Sequence, residues 1–169
     1  MRALLIPASL LLIIVTVQSQ SNQDELARVK ESVKTEVSKN MKGWTYRSVE
    51  PIQGSQSLIQ QWQLNDIIVK VAITRAELET DAEAAFKQSK RHFQKEEEAT
   101  SKSRGKTVKL IKEDLSLGDE GFVLDVRGSE AVRFRKGKFA VSVSVPSPAN
   151  NKDGFFSRKV AHDVAKALE

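Results

Sequence analysis

Two carboxylates set between glycines, Gly118-Asp119-Glu120-Gly121, are the residues of this chain best suited by type to chemistry. Neighbouring carboxylates can hold a divalent cation or divide acid and base roles between them. Asp114, five residues earlier, does not complete the ligand spacing of a helix–loop–helix calcium site. The plainer reading is a turn, in which the glycines supply flexible backbone and the carboxylates cap free N–H donors ahead of a strand beginning at Phe122. His92 sits beside Phe93 on a charged helix, and His162 precedes Asp163 on the last helix. Adjacent helical residues point apart, so His162 and Asp163 do not form a base and its orienting partner. No zinc-protease, nucleophile-elbow, phosphate-loop or dinucleotide motif occurs. These residues lead to the expectation of a protein without catalytic residues, metal or cofactor.

The densest basic group is Arg127, Arg133, Arg135, Lys136 and Lys138. These are the candidate binding residues, and their partner would be anionic: a phospholipid headgroup, an acidic polysaccharide or a nucleic acid. Nucleic acid calls for aromatic side chains on the same face for stacking, whereas Phe134 and Phe139 alternate to the other side. The competing reading is a soluble sheet face whose charges discourage edge pairing. Trp44, Tyr46 and Trp62 could line a small-molecule pocket, although aromatics in strands more often fill a core.

The elements that must position these residues can be read from hydrophobic period. Phe139, Val141, Val143 and Val145 alternate with Ala140, Ser142 and Ser144, and Val132 and Phe134 alternate with Ala131, Arg133 and Arg135. A turn at Lys136-Gly137 pairs Phe134 with Phe139 and Val132 with Val141. A three-residue loop, Gly128-Ser129-Glu130, aligns Leu124 with Phe134 and Val126 with Val132, so that all the apolar residues share one side. The opposite face then carries Asp125, Arg127, Arg133, Arg135, Ser142 and Ser144 and is expected to be wet.

Before this meander, 21–40 reads as a helix with the stripe Leu26, Val29, Val33, Val37 and Met41, stopped at Gly43. A short strand follows at 44–49. A hairpin about Asn65-Asp66 pairs Leu64 with Ile67, Trp62 with Val69 and Leu58 with Ile73. Its other face, with Ile59 and Ile68, reads as partly covered. Thr80 to Glu83 fits a capping box for a helix to about 97, with Ala82, Ala85, Phe86, Ser89 and Phe93 inward. A further strand runs over 108–115. Asp153 caps a last helix packed through Phe156, Val160, Val164 and Leu168. The order is α-β-β-β-α-β-β-β-β-α: an α+β fold with one antiparallel sheet of six to seven strands and three helices. The polar meander face argues that at least half of the sheet has one open side.

Met1-Arg2 followed by an apolar run over 3–17 reads as an export signal cleaved after about Ser19, leaving one domain over 20–169. The run is shorter than the roughly 20 residues of a membrane span and contains Pro7. The 169-residue chain has no cysteine and no Asn-x-Ser/Thr acceptor, which leans toward a bacterial exported protein, periplasmic or extracellular. Losing Arg2 from 27 basic residues leaves 26 against 22 acidic ones, a net of +4. That excess permits attraction to anionic surfaces without singling out nucleic acid.

Gly118 to Phe122, Val132-Arg133, the Lys136-Gly137-Lys138 turn, Val141-Ser142-Val143 and the Ala-rich helix 159–168 together resemble the C-terminal half of exported bacterial sensor-type domains, some with a PsbP-like α/β sandwich. The resemblance covers about 50 residues and implies a fold and a compartment, with no catalytic residues to carry over. The expected function is a soluble exported domain that binds a ligand or envelope partner without catalysis. The alternatives are attachment to an anionic surface through the basic face, and a hydrolase or metal-dependent enzyme built on Asp114, Asp119, Glu120 and a distant His.

Overall fold

Valines and phenylalanines at alternate strand positions draw seven strands into one antiparallel sheet, ordered β1-β2-β3-β7-β6-β5-β4. The structure is a computed structural model and describes residues 9–49, 56–126, 129–145 and 155–169. The elements are α1 (Ser9–Asn40), β1 (Thr45–Val49), β2 (Ser57–Leu64), β3 (Ile67–Arg75), α2 (Glu79–Arg104), β4 (Ile111–Leu115), β5 (Glu120–Val126), β6 (Ser129–Lys136), β7 (Phe139–Ser144) and α3 (Phe155–Ala167). This is the α+β order read from the sequence. α1 continues back to Ser9, through part of the stretch read as an export signal, and residues 1–8 lie outside the described residues. No described helix is long and apolar enough to cross a membrane.

One face of the sheet carries the main core. Val33 and Val37 of α1, Met41 just after it, and Val160, Ala161 and Val164 of α3 pack on Trp62, Val69, Val71, Ile73, Val132, Phe134, Val141 and Val143. The four-residue spacing on both helices presents one apolar stripe each to the strands. Gly43 ends this first layer with φ at 83°, a conformation that strains any residue with a Cβ. Trp62 is buried with its indole N–H donated to Ser38 Oγ at 3.1 Å, so its polar atom stays satisfied inside the core.

The hairpin between β2 and β3 has the expected register, Leu64 with Ile67, Trp62 with Val69 and Leu58 with Ile73. The hairpin between β6 and β7 differs by two residues: Lys136 pairs with Phe139, and Phe134 with Val141. A shift of two preserves the side on which every side chain lies. The hairpin between β5 and β6 is a true correction. Val123 pairs with Val132, Gly121 with Phe134 and Leu124 with Ala131, which leaves residues 127 and 128, outside the described set, between the strands. Phe122 and Leu124 therefore lie on the face of Arg133 and Arg135.

That face is covered, not wet. α2 lies over it, and Phe86 packs on Phe122, Leu124 and Ala131 in a second, smaller core. The α2 capping box is also absent: the helix starts at Glu79, after Leu78, with no side-chain cap. Glu79 and Asp81 in its first turn and Lys102 and Arg104 in its last instead complement the helix dipole, and Gly105 closes it in a left-handed conformation. The cap expected at Asp153 lies outside the described residues. Exposure falls on the other half of the same face, where Ile59 of β2 and Val49 of β1 are 39% and 45% exposed.

Candidate functional site

The basic group read from the sequence is divided among different surroundings. Arg127 lies outside the described residues. Arg135 is buried, and its Nε donates to Glu120 Oε1 at 3.0 Å while Nη1 lies 2.9 Å from Asp119 Oδ2 and 3.3 Å from Glu79 Oε1. Burial opposes its charge, but the hydrogen bonds to Glu120 and Glu79 outweigh that and raise its pKa above the ordinary value. Lys138 pairs with Glu25 at 2.8 Å, and Glu25 also accepts from Arg75 Nε at 2.6 Å. Lys136 is half-buried at a surface depression described below.

The conspicuous carboxylates have the same explanation. Asp119 and Glu120 close on Arg135, and Asp119 also accepts the Gly137 N–H at 2.6 Å. Gly118 makes this possible at φ 64°: a Cβ there would stand 2.3 Å from the Arg135 carbonyl oxygen, so the turn touches β6 backbone to backbone. The segment is a turn organised around a buried guanidinium. Among the described residues no three His, Asp or Glu side chains gather where they could hold a metal ion.

Arg133 stands apart from the other cations. It is half-buried, its Nη1 donates to Ser89 Oγ at 2.9 Å, and its guanidinium carbon lies 4.9 Å from the Phe93 ring centre. Its Nε is buried without a hydrogen-bond partner. No carboxylate among the described residues comes within ion-pairing distance, and burial pulls its pKa below the ordinary value. A partly desolvated charge with no counter-ion is a costly arrangement that an incoming anion would relieve.

Arg133 lines a cleft of about 320 Å³ between α2 and the sheet. The floor is Ala72 and Thr74 of β3 with Ala140 and Ser142 of β7; Ala85 and Ser89 come from α2. The antiparallel registers put Asp114, Phe122, Arg133, Ser142, Ala72, Ile59 and Val49 in one row across all seven strands. Along that row, large apolar packing under α2 gives way to the arginine, then to two small side chains, then to exposed Ile59 and Val49. The cleft exists because those small residues leave the floor low beside the helix.

Of the candidate cations read from the sequence, Arg133 lines this cleft, beside small residues that the sequence did not single out as site residues. Ala140, Ser142 and Ser144 held the signal, since long polar side chains are the usual occupants of a wet strand face and small ones permit close approach. The aromatic candidates are core: Trp44 meets Phe156 edge-on at 5.4 Å, and Tyr46 lies 5.2 Å from Trp62. His92 rests against Phe93. His162 borders a polar depression of about 500 Å³ with Lys136, Asp163 and Lys166. There Asp163 Oδ1 accepts from Asn40 Nδ2 at 3.0 Å, tying α3 to α1, and burial pushes its carboxyl above the usual range.

Comparison of the chain with protein-family models, curated proteins and solved structures finds no match.

Proposed function

We propose that this chain is an exported, non-catalytic binding domain that takes a small anionic ligand in the cleft between α2 and the sheet, with Arg133 as the anion-binding group. The observation that carries this reading is Arg133, a cleft-lining residue whose partly buried charge meets no carboxylate among the described residues. Its planar fork suits a carboxylate or phosphate, and only Nη1 is engaged, by the neutral Ser89 hydroxyl. A cleft near 300 Å³ falls at the small end of ligand sites, so a compact ligand fits best. The resemblance to exported sensor-type domains supports a ligand rather than a substrate, and the apolar run over 3–17 supports export. Attachment to an anionic surface through the basic face is the weaker reading, because Arg135 and Lys138 already face carboxylates.

Titration with succinate and with inorganic phosphate, followed by amide and side-chain NMR, tests the proposal. Shifts should centre on Ala72, Ser89, Arg133 and Ser142, and Arg133→Met should weaken binding about tenfold or more, as removal of a charged hydrogen bond worth ~1.5–3 kcal/mol requires. Shifts elsewhere, or affinity unchanged in Arg133→Met, would overturn it.

A further inference from the structure

A face of seven strands spaced about 4.8 Å apart is wider than one helix of about 10–12 Å can cover. On the main-core face α1 and α3 share the work. On the other face α2 alone covers β5, β6 and β7 with the cleft floor on β3 beside it, and among the described residues nothing packs over β1, β2 and the far end of β3. We infer that this open half-face is the docking surface for an acidic amphipathic helix of a partner protein. The inference goes beyond the anion cleft and rests on residues other than Arg133.

Three observations select that occupant. The first is apolar exposure: Ile59 and Val49 are adjacent partners on this face and both face water. The second is charge. Arg47 and Lys70 lie in the next like-facing row, flanking Gln61, and neither has an ion-pair partner among the described residues. No described strand position on this half of the face is a carboxylate: β1 shows Thr45, Arg47 and Val49, β2 shows Ser57, Ile59, Gln61 and Gln63, and β3 shows Ile68, Lys70, Ala72 and Thr74. A helix with an apolar stripe flanked by Asp and Glu matches both features. The third is shape, because α2 rises beside the open strands as a ridge about one helix thick. A flat anionic bilayer would be held off by that ridge, whereas a rod lies alongside it.

A second copy of the chain is the poorer occupant. Two such faces would bring Arg47 and Lys70 against their own equivalents. Pairing of two β1 edges centred on the strand would set Arg47 opposite Arg47, and like charges directly opposed destabilise a strand pair.

Two synthetic helical peptides of about 18 residues, long enough to hold a helix on docking, test the assignment. Both share one leucine stripe; one carries Glu on its flanks and the other Lys. The expected result is that the Glu peptide shifts the amides of Arg47, Val49, Ile59 and Lys70 and the Lys peptide does not. Arg47→Glu with Lys70→Glu should weaken the Glu peptide about tenfold and admit the Lys peptide, because reversing paired charges exchanges the preferred partner. Arg133→Met should leave Glu-peptide binding within about twofold, since rim and distant sites act independently, and this separates the inference from the anion cleft. Equal binding of both peptides, no shifts at millimolar peptide, shifts confined to other surfaces, self-association through these residues, or binding of phosphatidylglycerol vesicles without binding of the Glu peptide would each overturn it.

Discussion

Arg158 of α3 clamps the buried Glu130 of β6, its Nε donating to one carboxylate oxygen at 2.6 Å and its Nη2 to the other at 3.1 Å. Glu113 of β4 joins the same guanidinium at 2.5 Å, and Lys112 reaches Glu130 at 3.4 Å. The hydrogen bonds that Arg158 donates to Glu130, outweighing burial, hold the Arg158 pKa above its ordinary value. Arg158→Ala should destabilise the fold by about 2 kcal/mol in urea melts, below the ~3–5 kcal/mol of a wholly buried pair because Arg158 keeps about a third of its side chain in water. Arg158→Met combined with Glu130→Leu should recover most of that loss, since no stranded charge remains.

Gly118 and Gly137 should respond differently to alanine. At Gly118 the new Cβ would collide with the Arg135 carbonyl at 2.3 Å and with Phe134 Cδ2 at 3.1 Å. Gly137 also has positive φ, but open space lies around it. Gly137→Ala should cost about 1 kcal/mol for the left-handed conformation alone. Gly118→Ala should cost more than ~2 kcal/mol, because strain and a backbone clash add. Equal melting temperatures for the two variants would contradict this account of the turn.

Asp163 and Glu25 should shape the pH dependence of stability in opposite senses. Burial raises the folded pKa of Asp163 above 3.8, so the folded state holds its proton more tightly. Its contribution is present at low pH and is lost as pH rises from 3.8 through the raised value. Burial also opposes ionisation of Glu25, but the hydrogen bonds from Lys138 and Arg75 outweigh it and lower the folded pKa below 4.5. That contribution is complete above 4.5 and is lost as pH falls through the lowered value. Melts across this range should show Asp163→Asn removing the loss on the alkaline side and Glu25→Gln removing the loss on the acid side.

Arg133→Met should not lower the melting temperature of the ligand-free protein. The substitution gives up the Ser89 hydrogen bond and the Phe93 contact but removes a partly desolvated charge that has no counter-ion among the described residues. A drop comparable to that of Arg158→Ala would mean that Arg133 is structural.

The order of the elements was legible because strand and helix periods are unmistakable in Leu58 to Thr74 and in Phe139 to Val145. Asn65, at φ 52°, identified the one turn whose register came out fully. The meander face departs from its expected one-sided alternation for a definite reason. Phe122-Val123-Leu124 is an unbroken apolar run, the mark of a strand buried on both sides. Placing those three residues on two faces puts Phe122 and Leu124 beside Arg133 and requires a helix above them, which Phe86 and Phe93 on α2 supply. Nothing in the local sequence around Arg135 shows that Glu79, some 56 residues earlier, reaches it. Long-range ion pairs leave no periodic trace.

The two layers on either side of the sheet are unequal in their grip. α2 is fastened by Phe86 and its contacts with Phe122, Leu124 and Ala131, while α1 and α3 are sealed into a far larger continuous interior. Amide protons along α2 should therefore exchange with solvent well before those of α3, through an excursion that leaves the interior beneath α1 and α3 intact. Each such excursion uncovers the cleft floor, so the lifetime of the raised helix sets how quickly an occupant enters and leaves.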